Sequence, residues 1–478
     1  MEGKDVPVRE IDMSKGQLYR HPLHPHEDLE DIELYRPGGY HPVEIGNVLH
    51  GRYEVVHKLG HGDFSTVWMC LDITGQKWKA VKILAACRSS TDCPELKLRQ
   101  IVGASQLVTF PERHFWISGI NGKHLALVSP LLGPTISNTS SLTSNVNKIK
   151  RVCWRLAEAL EYIHSRNICH GDLKPQNVLH RMHSIDSLTK EQLWELLGSP
   201  FSSERRYPIT TVDGNDPGPH APSHATYSVN MCGLQDWVIK DDITLIDFGE
   251  AFEDSMVPSN PYVPLSHVSP EILAKSSPSL SSDVWSLAYS ILEIWTRHKP
   301  QCTVEGAIAS MELLLGPLPE EYRQMLYDKY LRDPDPNEEV GSDNPKIERS
   351  TTPVNSDFAG TYLIWDSEEL QEQRKIAQQT HKYNDLLNAK IGSRKNLGGF
   401  GASKERTYRM PRREVLQLSD LLRRMLRYDP KLRLSAKGVL DHPWFGAYRT
   451  SESGSILESG QQTLEESGSA NSLYGVES

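Results

Sequence analysis

A chain of 478 residues is longer than one compact core holds, so two lobes with insertions are expected. Its 38 % hydrophobic and 24 % charged content fits a soluble globular protein. The net charge of -10 excludes nucleic-acid binding through bulk positive charge, and leaves room for an acidic surface that attracts basic partners. The seven cysteines (Cys70, Cys87, Cys93, Cys153, Cys169, Cys232, Cys302) form no C-x-x-C pair. Neither a zinc site nor a disulfide framework is indicated, and a reducing, intracellular compartment fits. The N-terminus "MEGKDVPVREIDMSKG" has no apolar core, and no run is long enough to span a membrane.

In chain order, residues 1–30 read as a flexible polar segment. "RYEVVHKL", "STVWMCLD" and "KWKAVKIL" are short β-branched and aromatic runs separated by turns, and predict antiparallel strands. "CPELKLRQIV" has helical spacing, and "KHLALVSPLLG" is a further strand leading into a link. Five strands and one helix are expected in this first lobe. "NVNKIKRVCWRLAEALEYIHSRN" predicts an amphipathic helix, with Val152, Leu156, Leu160 and Ile163 at three- and four-residue steps. "SSDVWSLAYSILEIWT" and "LSDLLRRMLRYD" are also helical, so the second lobe is mainly helical. Residues 181–240 are rich in Ser, Pro, His and Gly, with one helix at "SLTKEQLWELL"; they read as a loop with little core to contribute, whose removal should leave catalysis intact. Residues 301–410 carry a second, charged insertion. The tail 446–478 is Ser/Glu-rich and reads as disordered.

The chemistry begins at "LGHGDFSTVW", where Leu59 leads into Gly60 and Gly62 at a tight turn. Glycines there let backbone amides approach phosphate oxygens. The third glycine of such a loop is replaced by Ser65. A glycine hairpin with no ligand explains this stretch equally well by itself. Lys82, at the end of "KAVK", is placed to pair with phosphates, and Glu95, 13 residues on, could hold it. "ICHGDLKPQNVL" then gathers Asp172, Lys174 and Asn177, and "ITLIDFGEA" supplies Asp247. Phosphoryl transfer requires a carboxylate to orient the attacking hydroxyl, a cation beside the moving group, and oxygen ligands for Mg²⁺. Asp172 and Lys174 meet the first two needs, and Asn177 and Asp247 the third. Val67, Ala80 and Leu179 are apolar and fall where they could sandwich the adenine of ATP. Downstream, Glu271 in "SPEIL", Arg433 in "DPKLRLSA" and Asp283 in "SSDVWSLA" read as bracing residues.

Over residues 53–445 this order of motifs resembles the eukaryotic protein kinases, and within them the SR-protein kinases. The stretch "YRPGGYHPVEIGNVLHGRYEVVHKLGHGDFSTVW" carries the likeness, with "MELLLGPLPEEY" ahead of the late insertion. Ser65 is then a family feature. The resemblance implies an α+β, bilobal protein kinase fold. A small antiparallel β-sheet N-lobe (31–133, with an N-terminal extension) would carry one main helix, and a larger helical C-lobe (134–445) would bear both insertions. It implies ATP and Mg²⁺ as cofactors and a monomer in cytoplasm and nucleus. Its partners would be basic or Arg-Ser-rich proteins such as splicing factors, with neither nucleic acid nor membrane.

The chain departs from the family in "VPLSHVSPE", which has Pro264 and Leu265 where the family has Thr, and no Arg; such divergence matches fungal-type members. By the same alignment the link reads "SPLLG", with a small Ser129 at the back of the nucleotide pocket. Gly171 stands where many kinases carry an arginine that binds an activation-loop phosphate. Activity without such a phosphate is expected, and the family is regarded as constitutively active. Asp333, Asp335, Glu338, Glu339 and Asp343 could form an acidic docking groove, or a solvated loop. Two other readings stand beside an active kinase. A pseudokinase scaffold is favoured by Pro264 and opposed by Lys82, Glu95, Asp172, Asn177 and Asp247. A small-molecule kinase is opposed by "SPE" and Arg433.

Overall fold

The computed structural model describes residues 18–22, 29–137, 145–231, 234, 237–258, 264–274, 277–300, 303–326, 383–396 and 406–449. The chain divides into two compact units: residues 1–134 with 179–241, and residues 135–178 with 242–478.

In the first unit, β1 (Val48–Leu49), β2 (Tyr53–Gly62), β3 (Ser65–Asp72), β4 (Lys77–Leu84), β5 (Arg113–Gly119) and β6 (Gly122–Pro130) form one antiparallel sheet, in the order β1-β2-β3-β4-β6-β5. The two-residue β1 is a sixth strand beyond the expected five. Successive side chains of a strand point to opposite faces. Trp68, Met69 and Cys70 are nevertheless all buried, so the sheet is covered on both sides. Val55, Trp68, Cys70, Val81, Ala126 and Val128 pack in one cluster with Val43 and Leu49. Helix α1 (Pro94–Val102) starts with proline at its first turn, where the missing N–H costs nothing, and ends at Gly103, whose φ of 76° suits glycine.

The other face corrects the reading of residues 181–240. Val56, Met69 and Trp78 are covered by Ile185, Leu193, Leu197, Val229, Met231, Leu234 and Val238. The helix Lys190–Leu197 forms as expected, capped by Thr189 and Gln192. The segment therefore belongs to the first unit and supplies part of its core. Its apolar residues are widely spaced among Ser, Pro and Gly, so average composition hides them. The described part of residues 1–30, which is 18–22 with 29 and 30, needs a similar correction. Tyr19, Leu29, Ile32, Tyr35 and Tyr40 form a further cluster with Ile209, Ala221 and Ala225. Glu30 is buried against Lys58, and the Tyr35 hydroxyl donates to it at 2.6 Å.

The second unit is helical. Helix α2 (Val146–His164) is capped by the Asn145 side chain and buries Val152, Leu156, Leu160 and Ile163. The helix Leu280–Thr296 is buried along almost its whole length, which marks a core helix rather than an amphipathic surface one. Part of the late insertion is also core: Leu387 and Ile391 are fully buried, and Trp295 Nε1 donates to the Ile391 carbonyl at 2.8 Å. Asp333, Asp335, Glu338, Glu339, Asp343 and residues 450–478 of the tail lie outside the described residues, whereas the start of the tail expected to be disordered, Gly446–Arg449, is a short helix. Among the described residues no helix is long and apolar enough to cross a membrane.

Candidate functional site

The candidate residues fall in both units. In the first, Gly60 pairs with Val67 and Gly62 with Ser65 across the β2–β3 hairpin. A Cβ at Gly60 would meet nothing within 4 Å, which is the open backbone approach that a phosphate needs. Val67 lies opposite Lys82, and Ala80 opposite Ser129. Two-residue periodicity puts Val67, Ala80, Lys82 and Ser129 on one face of the sheet. Lys82 Nζ contacts Glu95 Oε1 at 2.9 Å. Glu95 can do this because it sits in the first turn of α1, where a carboxylate also favours the helix dipole. Leu59 packs against the cluster that holds Val56 and Trp78, and Leu179 is half-buried.

In the second unit, Asp172, Lys174 and Asn177 converge. Lys174 Nζ lies 2.9 Å from Asp172 Oδ2. Asn177 Nδ2 donates to the Asp172 carbonyl at 2.8 Å and to Oδ2 at 2.9 Å. Asp172 Oδ1 is buried with no hydrogen-bond partner. Burial pushes the Asp172 carboxyl above its ordinary range; Lys174 opposes this, and the charge of Asp247 adds to it. Asp247 takes a left-handed φ of 64°, which turns the chain sharply before Phe248.

The loop is braced from below. Asp283 accepts from the His170 amide at 2.7 Å and the Gly171 amide at 3.1 Å, and His164 Nε2 lies 3.0 Å from it. His170 Nε2 is 3.1 Å from the Ile246 carbonyl, tying the loop to the strand before Asp247. Arg433 grips Glu271 with two bonds, at 2.7 and 2.6 Å, and lies over the Trp285 ring. His164 escaped the sequence reading, since a helical histidine followed by solvent-facing residues carries no signal of its own.

Gly171 has a reason beyond a missing side chain. Its φ is +77°, and a Cβ there would lie 2.5 Å from the Glu250 carbonyl oxygen. The backbone itself therefore demands glycine.

Metal-ligand chemistry fits the donor set. Asn177 spends its amide nitrogen on Asp172, so the amide oxygen is the atom a cation would use, and Asp247 offers a carboxylate. Oxygen donors of this kind suit Mg²⁺.

The protein kinase domain family matches residues 53–188 and 235–445, well over half of the chain. The gap between the two matched stretches is the segment packed on the sheet of the first unit. Human SRSF protein kinase 3 is 39 % identical over 170 residues, 32 % of this chain and 30 % of that protein. Serine/threonine-protein kinase spk-1 of Caenorhabditis elegans is 37 % identical over 173 residues, 33 % of this chain and 17 % of its own length. The match thus spans less than a third of either relative. Serine/threonine-protein kinase SRPK of Physarum polycephalum is 25 % identical over 443 residues, 87 % of this chain and 91 % of that protein. The chain belongs to the protein kinase family, as a divergent member similar to the SR-protein kinases.

Proposed function

We propose that this chain is an ATP-dependent serine/threonine protein kinase acting on basic, Arg-Ser-rich proteins. The observation that carries the reading is the Asp172 carboxylate: one oxygen is held by Lys174 and Asn177, and the other is buried without a partner. A substrate hydroxyl would supply that partner. Asp172 would orient the hydroxyl and take its proton as that oxygen bonds the γ-phosphorus of ATP and the bond from that phosphorus to the departing ADP breaks. Burial raises the affinity of Asp172 for that proton, which suits it as the acceptor. Lys174, beside the same carboxylate, would offset charge on the transferred group. Lys82, fixed by Glu95, would hold the nucleotide phosphates, with Gly60, Gly62 and Ser65 as the hairpin above them. Val67, Ala80 and Leu179 would flank the base, with Leu59 at the start of the hairpin. Asn177 and Asp247 would hold Mg²⁺, which when bound neutralises phosphate charge.

The formed Lys82–Glu95 contact and the assembled loop weigh against a pseudokinase scaffold. The substrate class rests on the family likeness and on the acids Asp333, Asp335, Glu338 and Glu339 as a docking site for basic protein. Such substrates would be met in cytoplasm and nucleus. The changed segment Pro264–Val268 leads us to expect relaxed selection of the residues that flank the accepting serine. Two peptides test this: one with Arg on both sides of the serine, and one with the same distal Arg run but neutral flanks. Similar turnover supports relaxed selection; turnover of the Arg-flanked peptide alone contradicts it.

A further inference from the structure

We infer that Tyr40, in the extension ahead of the matched kinase domain, is a positioning residue for the nucleotide-binding hairpin; the inference rests on the reading of Gly60–Ser65 as that hairpin. The Tyr40 hydroxyl donates to the Gly62 carbonyl at 2.7 Å, with the Asp63 carbonyl at 3.2 Å. The peptide group is planar and trans, so its C=O and N–H point in opposite directions. Holding the Gly62 carbonyl on Tyr40 therefore aims the Asp63 N–H away from Tyr40, and holding the Asp63 carbonyl does the same for Phe64. These are the amides a phosphate would meet. The next carbonyl, that of Phe64, is held by the Ala85 amide at 2.8 Å. The tip of the hairpin is thus fixed from its carbonyl side.

The extension fixes where this hydroxyl sits. Gly38 adopts a φ of +87°, and a Cβ on Gly39 would lie 1.9 Å from the Leu34 carbonyl oxygen, so only the Gly-Gly pair makes the turn. Gly38 and Gly39 carbonyls accept from Cys87 and Ala86, at 2.8 and 3.0 Å. The Tyr40 ring is buried and meets Tyr35 edge-on, with centroids 5.7 Å apart. Asn121 Nδ2 donates to the carbonyls of both Tyr40 and His220, each at 2.7 Å. His220 belongs to the segment between the two matched kinase stretches. Two pieces outside the kinase match, the extension at Tyr40 and this segment at His220, are therefore tied to the same Asn121 side chain.

The test uses the full chain and three proteins: wild type, Tyr40→Phe, and Tyr35→Phe as control. Tyr35→Phe also deletes a buried hydroxyl, but one bonded to Glu30. Calorimetric binding of a non-hydrolysable ATP analogue should weaken about three- to tenfold in Tyr40→Phe, the worth of one hydrogen bond, and stay unchanged in Tyr35→Phe. KM for a peptide substrate should not move. Without nucleotide, hydrogen exchange at Asp63 and Phe64 should quicken in Tyr40→Phe alone. Wild-type binding by Tyr40→Phe, or equal weakening in Tyr35→Phe, overturns this inference alone. A wild-type chain that binds no analogue overturns the nucleotide reading, and this inference with it.

Discussion

Replacing Gly171 with alanine should damage both stability and catalysis. A side chain at φ +77° costs about 1–2 kcal/mol for an L-residue. The added Cβ would also sit 2.5 Å from the Glu250 carbonyl oxygen, where ordinary contact begins at 3.4 Å. The amides of His170 and Gly171 are both held by Asp283, so the loop cannot retreat without lengthening those bonds. The strain falls on Asp172, the next residue, or on Glu250, three residues beyond Asp247. We expect a loss of about 2–3 kcal/mol in stability, summing the left-handed cost and a part of the clash. A shift of several tenths of an ångström at Asp172 should lower kcat about ten- to a hundredfold. Denaturant titration and steady-state kinetics on Gly171→Ala measure both. An arginine there should do at least as much harm, and should not make activity depend on an activation-loop phosphate. A Gly171→Ala protein with wild-type stability and kcat would refute the backbone argument.

Leu193→Ala should destabilise the first unit by about 2–4 kcal/mol, because Leu193 is fully buried against the sheet. Deletion of residues 189–234 should abolish soluble expression; a folded, active deletion protein would contradict the packing described above. Glu293, held at about 7 by burial, lies 3.6 Å from His267, which burial, with Lys174 adding, pushes down to about 3. The raised acid loses its contribution to stability as pH rises through roughly 4.5 to 7, and the depressed histidine loses its own as pH falls from about 6.5 toward 3. The two oppose each other in the wild type, so in Glu293→Gln stability should rise with pH between about 4.5 and 6.5, relative to wild type; a parallel pH profile for the two proteins speaks against this. Reversing Asp333, Asp335, Glu338 and Glu339 to lysine should raise KM for basic substrates with kcat nearly unchanged, and the wild-type KM should rise with salt; a fall in kcat alone would contradict a docking role.

Local chemistry was legible in the sequence. Asp172, Lys174 and Asn177 lie within six residues, so a loop of nearly any shape brings them close, and the structure does. Lys82 and Glu95 were legible too, because a strand end and a helix start set their spacing. The long-range parts were not. Nothing near Leu193 or Val229 says that they cover Met69 and Trp78, since a loop-like composition conceals apolar residues spaced far apart. Gly171 was read as an absent arginine, whereas its φ and the nearby Glu250 carbonyl are tertiary facts. The segment around Tyr40 served as a family marker, but its bond to Gly62 crosses 22 residues and left no trace in periodicity.

The central claim is phosphoryl transfer by Asp172, and radiolabelled ATP tests it most directly. Wild type, Lys82→Met and Asp172→Asn would each be incubated with an Arg-Ser repeat peptide and with a generic basic protein, after thermal melts establish that all three are folded. Wild type should label the serine-containing substrates, and each variant should fall by several powers of ten, since positioning and electrostatics supply most of the rate in this chemistry. Labelling by Asp172→Asn at the wild-type rate, or no labelling by wild type, would contradict the assignment.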